Sequence, residues 1–455
     1  MKNLFELAPT GIEGLDKTLG GGFVKGSVVL VIGHPGSGKT LLGATFIYNG
    51  LKKCGERGAY LSFFERKSEF YSYMKGFGMN FEQFEDKNMF IYMDALLTTD
   101  HGRMSDIFQL FIQKALEINA KRIVIDPISC ILALMKKDEV QAFLHNVIGR
   151  LIKNLDATII LISEFPSGAK SIRHGIEEFI ADTVIVMKSI ARGDRISRVM
   201  EIRKTRGKAV EPFVLPYVIT DKGLSVIPPL PIGIAGKFSG EKIESGIPIL
   251  DKYLGGGFQR GSATLIAGPT GAGKTLLALK IAINNIKMGR KVLFFSLKES
   301  EEQLREYVKR MGTKEEEYKD KLWFLSLNPF SMSEYVILLR TREMINKLKP
   351  DLYIIDGLEM FNLALGLDKA INYGFRRIQE LKSIGITVII TETSEEPYNK
   401  LVVAPFVDNV LVMEIVKDKM EYKKLLWILK LRGKPAPRTP LVIEDTEKGI
   451  ELREL

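Results

Sequence analysis

The chain has 455 residues, enough for two or three domains, each large enough to bury its own core. Its composition, 45% hydrophobic and 26% charged, is that of a folded globular protein and excludes disordered and collagen-like classes. A net charge of +10 permits contact with nucleic acid or an acidic membrane, but the basic residues are scattered, as on a solvated Lys/Glu-rich surface.

In chain order, Met1 to Asp16 contains no signal-type apolar region. No apolar run anywhere reaches the roughly 18 residues of a membrane span. Two cysteines, Cys54 and Cys130, give neither a metal spacing nor a disulfide framework. These features predict a cytoplasmic protein with no membrane insertion.

The apolar run Val28 to Ile32 reads as a strand that feeds Gly33-His34-Pro35-Gly36-Ser37-Gly38-Lys39-Thr40, and a helix pattern opens at Lys39. This fits G-x-x-x-x-G-K-[ST] in the strand–loop–helix context that the motif requires. Backbone N–H groups of such a loop point inward at a phosphate, and the helix dipole favours its negative charge. The candidate phosphate contacts are Gly36, Ser37, Gly38, Lys39, Thr40 and Leu41. Lys39 is expected to reach the β- and γ-phosphates, and the Thr40 hydroxyl to hold Mg2+. Further strands are predicted at Ala59–Phe64, Met89–Met93, Arg122–Ile125, Ala157–Ile162, Thr183–Met187 and Val199–Arg203, and helices at Phe70–Gly76, Met104–Asn119 and Glu139–Leu155. Their alternation predicts an α/β fold with a mainly parallel sheet flanked by helices.

Pro228-Pro229-Leu230-Pro231 interrupts the pattern, and a semi-rigid linker is expected over about 228–240. The pattern then starts again. Gly268-Pro269-Thr270-Gly271-Ala272-Gly273-Lys274-Thr275 repeats the loop 235 residues downstream, and Gly11–Leu42 matches Gly246–Leu277 at 20 of 32 positions. An isolated match has an ordinary glycine turn as its alternative; two in register inside a long repeat do not. The second set of phosphate contacts is Gly271, Ala272, Gly273, Lys274, Thr275 and Leu276. Strands are predicted at Thr264–Ala267, Val292–Ser296, Leu322–Leu325, Leu352–Ile355, Thr387–Ile390 and Val410–Met413. Two domains follow, 1–231 and 232–455.

A nucleotide loop needs a second carboxylate on the magnesium side. Arg122-Ile123-Val124-Ile125-Asp126 ends an apolar strand in one, and Leu352-Tyr353-Ile354-Ile355-Asp356 does the same 230 residues later. Thr40, Asp126, Thr275 and Asp356 are therefore the candidate metal residues. Hydrolysis also needs a group to orient or deprotonate water, and Glu65 and Glu299 stand just past strands beside the loops. Lys204-Thr205-Arg206-Gly207 recurs as Lys430-Leu431-Arg432-Gly433. In an alternating strand, each Lys/Arg pair points to one face and suits a γ-phosphate. With Lys39 and Lys274, these residues complete the candidate catalytic set.

On these residues the chain resembles the KaiC family of RecA-like ATPases, as two tandem domains, and is similar to archaeal KaiC-like proteins. The resemblance rests on the Gly-Ile-x-x-Leu-Asp-x-x-Leu-Gly-Gly-Gly-Phe lead-ins, the two Asp-ended strands, the run Arg173 to Asp182, the Lys-x-Arg-Gly repeats and Ile219-Thr220-Asp221-Lys222-Gly223. It implies two RecA-like P-loop NTPase domains, ATP/ADP and Mg2+ as ligands, and a hexameric ring of identical chains with ATP at subunit boundaries. Lys204 and Arg206, or Lys430 and Arg432, are then expected to reach a neighbour's nucleotide, and Thr220 and Asp221 match positions near the neighbouring nucleotide. The family shows paired glutamates after the second strand. Here the pairs read Phe64-Glu65 and Lys298-Glu299, so slow hydrolysis is expected, with Lys298 bonding a phosphate or Glu299. Ala404 and Pro405 stand where clock-type members carry adjacent Ser and Thr, which excludes phosphorylation at that place and leaves autokinase activity elsewhere open.

The reading that follows is a signalling or regulatory Mg-ATPase whose conformation is read by a protein partner of unknown identity. A DNA-dependent RecA relative is the first alternative; the scattered charge and the lack of a glycine-rich basic loop disfavour nucleic acid as a partner. A non-hydrolysing scaffold stabilised by ATP is the second.

Overall fold

The structure, a computed structural model, describes residues 5–95, 101–132, 140, 149, 154–165, 180–192, 195–207, 213–228, 240–396, 398, 401, 403–418, 421–447 and 449–455. Cα proximity divides the chain into two compact units, Met1–Pro229 and Leu230–Leu455. The expected linker and the expected helix over 139–155 fall almost wholly outside the described residues, as does most of the run from Arg173.

In the first unit the chain forms β1 (Val28–Gly33), α1 (Lys39–Asn49), β2 (Gly58–Ser62), α2 (Lys67–Gly76), β3 (Phe90–Asp94), α3 (His101–Glu117), β4 (Arg122–Asp126), β5 (Thr158–Glu164), β6 (Thr183–Arg192), β7 (Arg195–Thr205), β8 (Phe213–Thr220) and β9 (Gly223–Val226). The nine strands make one sheet in the order β9-β8-β7-β6-β1-β5-β4-β2-β3. From β6 to β3 every pairing is parallel, and from β6 to β9 the chain meanders antiparallel.

The central strands are near-continuous Val/Ile runs because helices cover both faces. Successive residues of β1 alternate between two cores. Val29 and Val31 pack with Leu42 and Phe46 of α1. Val28, Leu30 and Ile32 pack with Phe108 and Phe111 of α3.

The second unit repeats this plan with β10 (Ala263–Gly268), α4 (Lys274–Lys287), β11 (Val292–Ser296), α5 (Glu301–Arg310), β12 (Leu322–Ser326), α6 (Glu334–Leu348), β13 (Leu352–Asp356), α7 (Glu359–Leu365), α8 (Leu367–Ser383), β14 (Thr387–Thr393), β15 (Asn409–Asp418), β16 (Glu421–Leu431), β17 (Leu441–Thr446) and β18 (Gly449–Glu454). Its sheet order, β12-β11-β13-β14-β10-β15-β16-β17-β18, matches the first sheet strand for strand. Both units are thus nine-stranded, mainly parallel sheets flanked by helices.

The repeated lead-in serves the fold. Asp16 accepts from the N–H groups of Thr10 (2.7 Å) and Gly11 (3.2 Å), and Asp251 accepts from those of Ser245 (2.7 Å) and Gly246 (3.1 Å). Each aspartate closes the segment before the short helix that precedes the loop strand.

Candidate nucleotide sites

Each loop leaves the carboxyl end of a central strand, where ligands bind in open parallel sheets. Gly38 and Gly273 cap α1 and α4 with φ of 92° and 98°, a left-handed conformation that a side chain would strain. Neither helix has a side-chain cap, so its first N–H groups are left for an anion. Lys39 folds back over its loop, with Nζ donating to the carbonyls of Gly33 (3.0 Å) and His34 (3.0 Å). It lies 3.4 Å from Glu164 Oε1. Lys274 does likewise to Gly268 (2.9 Å) and Pro269 (2.7 Å). Burial, with help from the nearby Lys298 charge, pushes the Lys274 ammonium down to about 8.

The expected threonine–aspartate pairs meet in both units. Thr40 Oγ1 donates to Asp126 Oδ2 at 2.7 Å, and Tyr60 donates to the same oxygen at 2.7 Å. Thr275 Oγ1 lies 3.0 and 3.1 Å from the two oxygens of Asp356, and Thr391 donates to Oδ1 at 2.6 Å. Burial pushes both carboxyls up, against the pull of these hydroxyls. A carboxylate beside a hydroxyl is a hard-oxygen set that suits Mg2+. Among the described residues there is no cluster of three His, Cys, Asp or Glu for a metal. Each site offers one hydroxyl and one carboxylate, Thr40 with Asp126 and Thr275 with Asp356, which fits an ion that keeps water and phosphate oxygens, as Mg2+ does.

Glu65 and Glu299 occupy equivalent places. Their N–H groups donate to Ser62 Oγ (3.0 Å) and Ser296 Oγ (2.9 Å) at the preceding strand ends. Oε2 of each is buried without a hydrogen-bond partner. Burial, and then the charges of Asp126 and Glu69, raise the Glu65 carboxyl. Phe64, in the other half of the expected pair, is 56% exposed. Lys298 does not bond Glu299, one of its two expected partners. It pairs with Glu359 at the start of α7 and donates to Thr393 Oγ1 at 2.8 Å. Ser296 Oγ accepts from the N–H groups of both 298 and 299.

The Lys-x-Arg pairs lie elsewhere. β7 ends at Thr205, paired with Thr183 at the start of β6, so Arg206 follows the strand instead of alternating within it. β16 likewise ends at Leu431, so Arg432 also follows its strand, and each strand carries a bulge just before its lysine. The expected one-face geometry is therefore replaced by a turn. Arg206 is 3.5 Å from Asp182, and Arg432 Nη1 donates to Asp408 Oδ1 at 2.7 Å. Lys430 Nζ donates to the Val407 carbonyl at 2.7 Å. Asp182 in turn accepts from the N–H of Val28, at the start of β1. At about 3.3 Å per residue, the length of β1 separates this corner from the chain's own loop by roughly 17 Å.

Thr220 and Asp221, matched above to a neighbouring nucleotide, lie at the β8–β9 turn on the side of the chain's own loop. In β8, Tyr217 donates to the carbonyl of Ser37 at 2.5 Å, and Ile219 lies against Gly38. Several site residues escaped the sequence reading. Tyr217 is one, and Glu164 beside Lys39 is another; the latter ends a strand just as Asp126 does, and that was the usable signal. Thr446 at the β17–β18 turn is the counterpart of Thr220, since Thr446-Glu447-Lys448-Gly449 repeats Thr220-Asp221-Lys222-Gly223. Glu359 had no signal.

A family model described as "ATPase: KaiC" matches residues 8–230 and again 243–455. Circadian clock protein KaiC2 of Synechocystis sp. is 30% identical over 442 residues, covering 93% of this chain and 77% of that protein. Circadian clock oscillator protein KaiC of Thermostichus vulcanus is 28% identical over 468 residues, with coverages of 98% and 89%. Its namesake in Synechococcus elongatus is 27% identical over 465 residues, with coverages of 98% and 88%. These relatives are cyanobacterial, whereas the sequence reading pointed to archaeal members.

Proposed function

The chain belongs to the KaiC family of ATPases, and from that premise we propose that it is a regulatory Mg-ATPase with two nucleotide pockets, one in each of the domains 1–231 and 232–455. The observation that carries this reading is the twice-built constellation of loop lysine, loop threonine, buried aspartate and strand-end glutamate. Lys39 and Lys274 leave their loop carbonyls for the β- and γ-phosphates. Thr40 with Asp126, and Thr275 with Asp356, hold Mg2+. When bound, that ion neutralises charge developing on the phosphate oxygens. Glu65 and Glu299 orient the attacking water through their unpartnered oxygens. Replacement of the first glutamate by Phe64 and Lys298 supports slow turnover.

Arg206 and Arg432 lie too far from their own loops to serve them, which supports their use in trans. They, with Lys204 and Lys430, complete the pocket of an adjoining copy in a hexameric ring, and nucleotide state thereby controls assembly. Thr220 and Asp221 line the chain's own first pocket. The output is a conformation read by a protein partner in the cytoplasm. No helix among the described residues is long and apolar enough to cross a membrane. The test is mass measurement with and without Mg-ATP, beside an ATPase assay. A ring with turnover is expected; a chain that neither binds ATP nor changes its mass refutes the reading.

A further inference from the structure

Resting on the reading of the second loop as a triphosphate pocket, we propose that Lys298 and Glu359 form a γ-phosphate sensor in that pocket. Lys298 is the cation that distinguishes a triphosphate from a diphosphate, and Glu359 is the resident anion that holds it until the phosphate arrives.

The position of the pair supports this. Thr393, which accepts from Lys298 Nζ at 2.8 Å, is the register partner of Gly268, the first residue of the loop. The Gly268 carbonyl holds the Lys274 ammonium at 2.9 Å. Lys298 therefore stands at the mouth of the loop, one strand across from the loop lysine. Glu359 is fixed on its far side by the N–H of Thr393 at 3.0 Å. Its side chain is 15% exposed, and the Lys298 side chain is 29% exposed, so both charges are partly shielded from water.

The arrangement is specific to the second unit. The lysine stem crosses Gly357, where a Cβ would lie 2.7 Å from Lys298 Cγ, so a glycine is needed beneath it. The three corresponding positions of the first unit are Phe64, Pro127 and Ser129, and none can make such a pair. The strand-end position held by Thr393 is Glu164 there, and it faces Lys39 directly. The second pocket thus carries one more lysine, balanced by a carboxylate one helix start away.

A γ-phosphate brings about two charges, where Glu359 offers one, and charge-assisted bonds to phosphate are among the strong ones. ATP draws Lys298 from Glu359, while ADP ends short of it and leaves the pair closed. The sensor thereby makes the second pocket retain ATP.

The experiment uses the full chain carrying Lys39→Ala, so that binding reports the second pocket, with Mg-ATP and Mg-ADP titrated calorimetrically. Lys298→Met is expected to weaken ATP binding about tenfold and to leave ADP within about twofold. Glu359→Gln frees the lysine and is expected to tighten ATP. The neutral double variant Lys298→Met/Glu359→Gln, which leaves no unpaired charge, is expected to keep the reduced ATP preference. Equal losses of ATP and ADP in Lys298→Met, no loss in either, or a restored preference in the double variant would each overturn the sensor. Failure of both nucleotides to bind the Lys39→Ala chain would overturn instead the reading on which the sensor rests.

Discussion

Arg206→Ala separates stability from catalysis. The Arg206 side chain is 58% exposed and stands 3.5 Å from Asp182. Exposed pairs of this kind contribute about 0–1 kcal/mol, so the urea midpoint of the variant should move by no more than that. As a cation completing a neighbour's pocket, the same side chain contributes about 10³-fold or more to turnover, the range of arginine fingers. The assay is phosphate release in a Lys274→Ala background, which isolates the first pocket. The cross-chain arrangement adds a sharper test. Lys39→Ala chains have a dead first loop and an intact Arg206, and Arg206→Ala chains have the reverse. Random mixing in a ring makes about a quarter of the heterologous interfaces complete, so activity should reappear in the mixture. Two inactive parents that stay inactive when mixed, with mixed rings verified by mass, would refute action in trans. An Arg206→Ala chain that hydrolyses normally would refute the role altogether.

Lys39→Ala is expected to remove most ATPase activity, and Lys274→Ala little, because the second pocket carries Lys298; rates of each against the parent decide this. Lys382→Met removes one of the two cations on the buried Asp408, whose oxygens lie 2.7 and 3.0 Å from Lys382 Nζ, and leaves Arg432 at 2.7 Å, so it should cost about 1.5–3 kcal/mol in urea unfolding of the second unit. Burial pushes the Asp408 carboxyl up, but its bonds from Lys382, the Ala263 N–H and Arg432 outweigh that and hold it below the usual range. Its stabilisation is therefore full above the ordinary carboxylate range and is lost as pH falls through the lowered value; Asp408→Asn should flatten the acid limb of a stability–pH curve. Tyr217→Phe removes the bond to the Ser37 carbonyl, worth about 1 kcal/mol, and should weaken ATP binding in the first pocket about fivefold with the fold intact.

The sheet was legible wherever a strand is buried on both faces. The reading placed Val292–Ser296 at its observed bounds, and Arg122–Ile125 one residue short of β4, because Val/Ile runs bounded by polar residues have few alternatives. β8, β9, β16, β17 and β18 escaped it. Phe213–Thr220 contains Pro216, and Gly449–Glu454 alternates charged and apolar residues like a surface segment. These strands bury only one face, through residues such as Leu215, Tyr217, Leu441 and Ile443, and are placed by hairpin pairing, which short-range pattern does not carry. In the site, the loop and the aspartates were legible because their chemistry is local in sequence. The partners that satisfy those aspartates, Tyr60 in one unit and Thr391 in the other, were not, since they arrive from different strands. Lys298 was noticed as a departure from pattern, but its counter-ion lies 61 residues downstream, at a helix start that no spacing rule singles out.

What the two units keep and what they change points to a division of labour. Both keep the parts that bind a triphosphate: left-handed glycine caps, a lysine on loop carbonyls, a threonine on a buried aspartate, and an arginine moored to the aspartate at the foot of the sheet. Both also keep Glu65 or Glu299, its N–H anchored on a serine and one oxygen unpartnered. The changes fall where the γ-phosphate would end. In the first unit an uncharged Phe64 turns to solvent and Glu164 faces the loop lysine, so negative charge crowds the departing phosphate. In the second unit that carboxylate is a threonine, and an added lysine is held by its own glutamate. A carboxylate near the γ-phosphate disfavours its retention, and a second ammonium favours it. On the proposed reading, the first pocket is then biased toward release and the second toward holding. Exchanging the residues at 64 and 298 and at 164 and 393, with Pro127→Gly to clear the lysine stem and Ser129→Glu and Glu359→Ser to carry the counter-ion across, should exchange those biases. If the order of ATP retention between the two pockets stayed as it was, the division would have to arise outside these positions.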